Sequence, residues 1–427
     1  MAKNYNNTLK YLYSQLPMYQ RVGESAFKKN LDNIKALCEA MGNPQSKLKC
    51  IHVAGTNGKG TTSHIIAGIL MANAYKVGIY TSPHYTDFRE RIKIGNTLMS
   101  QKYVVDFVEK NSHILEKIKP SFFEITVAMA FDYFVSNQVD YAVIEVGLGG
   151  RLDSTNIITP LLSVITNIGY DHMNMLGNSL DEIAYEKAGI IKDHVPVLIG
   201  EYQKEINWVF ELKAQQRQAP IYYAQQLVSI EYKSHDFFTE CRYKKENISF
   251  DIDISGEFQQ RNITTAMAAA QLLTDNDIIP NLSLEKFAEI SPNFRETLAY
   301  KGRWQLLSRN PDVIVDSAHN IDGITQIINM LDALPYTKVH FVMGMVNDKD
   351  SSKILSVLPK NNKYYFAKAN IPRGLDAQEL KSRADKHGLK GKAYSSVRKA
   401  LAAAKISAKE NELIFVGGSI FVVAEVI

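Results

Sequence analysis

Apolar and polar positions follow two rhythms along this chain. Short apolar runs stand at 49–54, 77–81, 139–147, 162–168 and 195–199. Their length and their Val and Ile content predict buried strands. Between them apolar residues recur at helical spacing, which predicts helices over 62–74, 101–118, 122–136 and 180–190. Leu31, Ile34, Leu37 and Met41 add an earlier helix over 25–42. Strands alternating with helices predict a parallel sheet covered on both faces. Residues 228–254 break the rhythm with Tyr, Phe, Ser and alternating polar positions, and predict a small antiparallel excursion. A helix over 259–275 follows, with Ala266, Ala268, Ala269 and Ala270 on one face.

Ser291-Pro292-Asn293 then interrupts the pattern, and Lys301-Gly302 offers a hinge. Beyond it a second series begins. It predicts strands at 312–316, 338–344, 363–368 and 412–416 and helices at 322–333, 350–357, 376–386 and 395–407. Gly417-Gly418-Ser419 opens a last helix. The expected fold class is α/β: a P-loop parallel-sheet ATPase domain over 1–297, then a smaller Rossmann-like α/β domain over 298–427. A chain of 427 residues is long enough for two or three cores.

Composition narrows the function classes. Hydrophobic residues make up 45%, enough for packed globular domains, and the net charge is +4. That charge is too mild for a nucleic-acid partner but suits small anionic substrates. Lys and Arg outnumber Asp and Glu in the last third, without a continuous basic run. No apolar run reaches membrane-spanning length, and Met1-Ala2-Lys3-Asn4 begins no signal-peptide core. Cys38, Cys50 and Cys241 stand far apart without metal spacing. They suit buried packing positions in a reducing cytosol.

Candidate chemistry concentrates at the ends of the expected strands, where open parallel sheets hold ligands. Residues 51–62 read as an apolar strand, a Gly-rich turn with one lysine, and a hydroxyl-rich helix start. Gly55, Gly58 and Gly60 permit sharp bends and close backbone approach. Lys59 offers a charge to β- and γ-phosphates, and Thr61 and Thr62 open a helix whose dipole favours anions. The run Gly55-Thr56-Asn57-Gly58-Lys59-Gly60-Thr61 is a variant of the usual G-x-x-x-x-G-K-[ST]; an ordinary βα turn is the bland alternative. Lys59 is expected to be a solvated loop charge in the free protein.

Glu145 is an anomaly, because a carboxylate inside a buried strand is costly unless paired or metal-bound. A salt bridge would explain it. So would a Mg²⁺ site beside the phosphate loop, with Ser82 offering a hydroxyl. Asp171-His172 and Glu186-Lys187 form a second cluster. His172 as a turn residue and Lys187 as a surface charge are the plain alternatives, although Gly189 tilts Lys187 inward. Asp316 and His319 stand at a strand end of the second series, with Arg303 before it and Asn262 in the preceding helix. Capping and function are equally open for these four.

Together these segments resemble the folylpolyglutamate synthase/dihydrofolate synthase family of the Mur ligase superfamily, over roughly 45–425. The resemblance rests on Gly55 to Thr61, Ser82-Pro-His84 followed by Glu90-Arg91-Ile92, Phe123-Glu124-Ile-Thr126, and Glu145-Val-Gly-Leu-Gly-Gly-Arg-Leu-Asp153. It rests also on Ile165-Thr-Asn-Ile-Gly-Tyr-Asp-His172, running through Leu176-Gly177 to Glu186-Lys-Ala-Gly-Ile-Ile-Lys192. Three departures stand out. Asp316-Ser-Ala-His-Asn-Ile321 replaces Asp-Gly-Ala-His-Asn-Pro, Lys301-Gly-Arg303 replaces Pro-Gly-Arg, and Phe258 replaces a histidine before Gln259. The N-terminal run Leu16 to Gly23 also differs from the commonest pterin-side loop.

The resemblance implies an ATP-dependent ligase that phosphorylates a substrate carboxylate and lets L-glutamate attack the acyl phosphate. The acceptor would be dihydropteroate or a tetrahydrofolate polyglutamate. It also implies roles. Lys59 and its loop, from Gly55 through Thr56, Asn57, Gly58 and Gly60 to Thr61, would hold ATP phosphates. Ser82 and Glu145 would bind one Mg²⁺, and His172 with a carbamylated Lys187 a second. Lys59, His172 and Lys187 would be catalytic. Asn262, Arg303, Asp316 and His319 would contact the nucleotide. Acceptor choice could lie in Lys301-Gly302-Arg303 or around Gln20, Arg21 and Val22. The expected protein is a cytoplasmic monomer without nucleic-acid or membrane partners. The rivals are another Mur-type ligase acting on a cell-wall precursor and a non-catalytic nucleotide-binding protein.

Overall fold

The computed structural model describes residues 4–15, 30–347 and 351–427. The loop from Leu16 to Gly23, the start of the helix expected over 25–42, and residue 350 lie outside the described residues.

Two parallel-rich sheets carry the chain. The first holds β1 (Cys50–Ala54), β2 (Val77–Tyr80), β3 (Ile92–Ile94), β4 (Thr97–Leu98), β5 (Tyr141–Glu145), β6 (Leu162–Ile165), β7 (Val197–Ile199) and β8 (Ile221–Tyr223). Their order is β4-β3-β2-β5-β1-β6-β7-β8. Strands β2, β5, β1, β6, β7 and β8 run parallel, while β3 and β4 form an antiparallel edge ribbon. The excursion expected over 228–254 is a three-stranded antiparallel sheet of β9 (Ile230–Ser234), β10 (Thr239–Tyr243) and β11 (Ile248–Ile252).

The second large sheet holds β12 (Gln305–Ser308), β13 (Val313–Asp316), β14 (Lys338–Met343), β15 (Lys363–Ala367), β16 (Gly391–Tyr394) and β17 (Glu412–Gly417). Its order is β12-β13-β17-β14-β15-β16, parallel except for β12. This is the expected α/β class.

The parallel strands are mostly apolar because helices cover both faces. Strands β1, β2, β5 and β6 are buried at every position. Helix α1 (Lys59–Ala72) packs against the sheet and against α2 (Glu257–Asp275). Ile65, Ile66, Ile69 and Leu70 of α1 are each at most 1% exposed, and each such burial contributes roughly 1.5–3 kcal/mol. Ala266, Ala268, Ala269 and Ala270 on α2 are buried in the same cluster. Their small side chains allow close approach, and a larger residue there would overpack the contact.

Some element boundaries differ from expectation. The helix expected over 101–118 is two helices, Gln101–Lys110 and Ser112–Ile118. Asn111 divides them, its side-chain amide donating to the Phe107 carbonyl at 2.8 Å, a local bond that competes with helix continuation. The strands β3, β4, β8, β12 and β16, at or next to the sheet edges, are not among those the sequence pattern predicts. Lys301-Gly302 is firmly held: the Gly302 carbonyl accepts from Ser317 N–H at 3.1 Å and from Ser317 Oγ at 2.6 Å, and the Tyr85 hydroxyl lies 3.2 Å from it.

Candidate active site

The loops after β1, β2, β5, β6, β13 and β17 converge on one cleft of about 310 Å³ between the two sheets. Every residue to which the resemblance gives a phosphate, metal or nucleotide role lines it.

The phosphate-type loop is shaped by what crowds it. Gly58 has φ +83°, and a Cβ there would lie 2.0 Å from Asn262 Oδ1. Gly55 has φ +144°, and a Cβ there would meet Thr166 Oγ1 at 1.8 Å. Only glycine fits either position. The loop is pinned to the end of β6. Thr56 N–H donates to the Asn167 carbonyl at 2.8 Å, Asn57 N–H to Asn167 Oδ1 at 2.9 Å, and Thr166 Oγ1 to the Asn57 carbonyl at 2.6 Å. Helix α1 begins at Lys59 with no side-chain cap, so its first N–H groups have no partner within the helix. The Thr61 hydroxyl lies 2.7 Å from the Tyr300 hydroxyl.

Lys59 is not a solvated charge. Its Nζ folds back to donate to the carbonyls of Gly55 at 2.9 Å and Thr56 at 3.0 Å. Burial lowers its pKa against the opposing pull of Glu145 and Asp171.

Glu145, at the end of β5, is 5% exposed and accepts the Ser82 backbone N–H at 3.1 Å. The salt bridge considered for it is absent among the described residues. Burial raises its carboxyl to about 7, opposed chiefly by Lys59. A Cβ on Gly60 would stand 3.8 Å from Glu145 Oε1, so the carboxylate faces the first turn of α1. A buried oxygen anion short of positive charge, beside a hydroxyl and a helix N-terminus, fits a hard divalent cation. Among the described residues no group of three or more His, Cys, Asp or Glu gathers to hold a metal. An ion here would complete its shell with water and phosphate oxygens, as Mg²⁺ usually does.

Lys187 is buried at 4% exposure, as the position of Gly189 suggested. Its Nζ donates to the Gly55 carbonyl at 2.9 Å. Burial and then Lys59 push its pKa down to about 7. His172 stands in the left-handed region at φ 52°, with Nε2 3.8 Å from Asp171 Oδ1.

Asp171, quoted from the sequence only beside His172, is the hub of this end of the cleft. Its Oδ2 lies 3.3 Å from His319 Nε2 and accepts from Asn320 Nδ2 at 3.3 Å. Asn320 Nδ2 also reaches Asn57 Oδ1 at 3.0 Å. The strand-end position of Asp171 was the available signal; its partners lie about 150 residues away and left none.

Asp316 ends β13 and is 2% exposed. It accepts from Trp304 N–H and Ala318 N–H, each at 2.7 Å, so part of its role is turn closure. Arg303 lies within electrostatic reach of both Asp316 and Glu145. Asn262 sits inside α2, not at a cap, and donates to Gln259 Oε1 at 2.9 Å. His319 Nδ1 donates to the Ser317 carbonyl at 2.9 Å. Phe122, Phe123, Leu148 and Leu152 give the cleft one apolar arm, and Arg373, Ser419 and Phe421 line it from the second sheet.

Comparison with known proteins places the fold in a family. The model of the Mur ligase middle domain matches residues 53–270, and that of the Mur ligase glutamate ligase domain matches 302–420. The chain is 33% identical over 426 residues to the dihydrofolate synthase/folylpolyglutamate synthase of Bacillus subtilis, covering 93% of this chain and 94% of that protein. It superposes on E. coli FolC solved in complex with DHPP and ADP with a TM-score of 0.84 at 30% identity, covering 100% of this chain and 97% of the other. A bifunctional folylpolyglutamate synthase/dihydrofolate synthase solved with Mn, AMPPNP and L-glutamate bound gives 0.82 at 27% identity, covering 100% and 97%.

Proposed function

Because the chain belongs to the dihydrofolate synthase/folylpolyglutamate synthase family of ATP-dependent Mur-type ligases, we propose that it joins L-glutamate both to dihydropteroate and to folates that already carry glutamate. The observation that carries this reading is the single cleft in which the phosphate loop, Glu145 and Lys187 of one sheet face Arg303, Asp316 and His319 of the other.

A carboxylate is a poor acyl donor because oxide is a poor leaving group. Transfer of the γ-phosphoryl group to the acceptor carboxylate gives an acyl phosphate and ADP. The glutamate amine attacks the acyl carbon, and phosphate departs as the amide forms. Lys59 and the first N–H groups of α1 bind the ATP phosphates and stabilise charge on the transferring group. For the phosphates to gain Lys59, its bonds to the Gly55 and Thr56 carbonyls lengthen or are shared. Asn262, Arg303, Asp316 and His319 hold the nucleotide from the two sides of the cleft. The apolar arm at Phe122 and Phe123 excludes water from the acyl phosphate.

Glu145 and Ser82 would hold one Mg²⁺, and His172 with Lys187 a second. Metal bound there would neutralise phosphate charge as it moves. The second site calls for Lys187 as a carbamate. Its burial beside Lys59 disfavours another ammonium, and a carbamate nitrogen keeps one hydrogen for the Gly55 carbonyl.

We place the boundary between an ATP-binding unit over 1–297 and a glutamate-ligase unit over 298–427. The three sheets support it, since β1 to β11 end before residue 297 and β12 to β17 begin after it. A monomer suffices, because one chain brings both halves of the cleft together. A cytosolic setting suits the three cysteines, all buried and free, and no helix among the described residues is long and apolar enough to cross a membrane.

The test is incorporation of labelled glutamate with each acceptor, ATP and Mg²⁺. Product from both supports the reading. Product from a tetrahydrofolate alone reduces it to polyglutamylation, and from dihydropteroate alone to dihydrofolate synthesis. Product from neither overturns it.

A further inference from the structure

One tyrosine ties the Ser82 loop to the second sheet. Tyr85 stands three residues beyond Ser82, yet its ring packs against the apolar cluster of β13, β14 and β17. The loop is anchored on its own side by a bond from Tyr85 N–H to Glu90 Oε2 at 2.7 Å. The Tyr85 hydroxyl lies 2.7 Å from Ser317 Oγ and 3.2 Å from the Gly302 carbonyl. Ser317 is fully buried, and its Oγ is 2.6 Å from that same carbonyl.

The hydrogens in this group follow from the distances. A carbonyl only accepts, and Ser317 Oγ is nearer to it than the Tyr85 hydroxyl is, 2.6 Å against 3.2 Å, so Ser317 spends its one hydrogen on Gly302. Tyr85 is then the donor to Ser317 Oγ. The result is a directed relay, Tyr85 to Ser317 to the Gly302 carbonyl, in which each bond polarises the next. Gly302 has φ +66°, and a Cβ there would strike the Tyr85 ring at 2.4 Å, so the ring lies flush on the connecting backbone. Ser317 directly follows Asp316, and Gly302 directly precedes Arg303.

We infer that Tyr85 and Ser317 are positioning residues, a hydrogen-bonded catch that holds the Ser82 loop at a set distance from Arg303 and Asp316. The inference rests on the ligase reading for its role in catalysis. Without the catch, the arrangement with both halves aligned is less populated. A ligand that contacts both halves then binds more weakly by that fraction, while the chemistry of the aligned state is unchanged.

Tyr85→Phe keeps the ring and removes the donor. It should raise the KM for ATP by up to about fivefold, the ceiling set by one net hydrogen bond, with kcat at saturating ATP within about twofold of the parent. Ser317→Ala should have a smaller effect, because Tyr85 already stands near the Gly302 carbonyl and can donate to it. The double variant should match Tyr85→Phe alone, since both bonds belong to one relay. A merely structural role would lower the melting temperature and the active fraction, and hence kcat, with KM unmoved. An unchanged ATP KM in Tyr85→Phe, or fully additive single effects, would overturn the proposal. Calorimetric binding of a non-hydrolysable ATP analogue separates this from the ligase reading. If the parent releases no ADP in response to glutamate, the ligase reading fails, and a weaker analogue affinity in Tyr85→Phe, by up to about fivefold, still upholds the catch; equal affinity refutes it.

Discussion

Replacing Lys59 by Met removes the charge from the phosphate loop while keeping most of the side-chain volume. In the free protein the Lys59 ammonium donates to two loop carbonyls, Gly55 and Thr56. Bonds from a charged donor contribute about 1.5–3 kcal/mol each. Against this, the ammonium is partly withdrawn from water, which opposes its charge. The two effects offset, so the net stability change should be small, about 1–2 kcal/mol of destabilisation. Catalysis should respond differently. Loss of one preorganised donor aimed at developing charge costs about 10²- to 10³-fold in kcat, or about 3–4 kcal/mol of transition-state stabilisation. Glutamate-dependent ADP release measures the rate, and urea unfolding measures the stability. A variant that keeps kcat within tenfold of the parent would refute the placement of Lys59 at the transferring phosphoryl group. So would a kcat loss fully explained by unfolded protein.

Glu145→Gln should raise the Mg²⁺ concentration needed for half-maximal rate by about tenfold or more, because an amide oxygen carries no net charge; an unchanged metal titration would remove Glu145 from the metal site. Lys187→Ala should be inactive, and short carboxylic acids should restore part of the rate by supplying the missing anionic ligand. Density for a bare ammonium at Lys187 in a nucleotide- and Mg²⁺-bound crystal would rule the carbamate out. Lys93, 3% exposed, donates to His64 Nε2 at 2.9 Å and to the Leu298 carbonyl at 2.7 Å. Burial lowers its pKa from 10.5 to about 8. The unfolded chain therefore binds more protons than the native one between those values, and stability rises with pH across that window. Relative to Lys93→Met, the parent should gain on the order of 3 kcal/mol between pH 7 and pH 10.5, and parallel urea-unfolding profiles would contradict this.

Much of the site could be read from the chain because its signals are local. The glycines, Lys59 and the threonines are adjacent, and Glu145 is conspicuous as a carboxylate in a run of buried apolar residues. Gly189 pointed Lys187 inward from two residues away. What could not be read depends on the meeting of the two sheets. Asp171 gains its meaning from His319 and Asn320, and Tyr85 from Ser317 and Gly302. The fold-back of Lys59 onto its own loop was also hidden, since a sequence shows a charge but not the carbonyls around it. At the level of elements, the long apolar strands and periodic helices were legible. Of the three-residue strands, β7 was legible within the apolar run 195–199, while β3, with Lys93 at its centre, and β8, followed closely by Gln225 and Gln226, were not.

The central claim is that the acceptor carboxylate is phosphorylated before glutamate attacks. Dihydropteroate carrying heavy oxygen in both carboxylate positions tests it directly. Incubation with ATP, Mg²⁺ and L-glutamate, followed by mass analysis of the released phosphate, should show one heavy oxygen transferred to phosphate for each amide formed. Amide formation with no heavy oxygen in the phosphate would contradict the acyl-phosphate route.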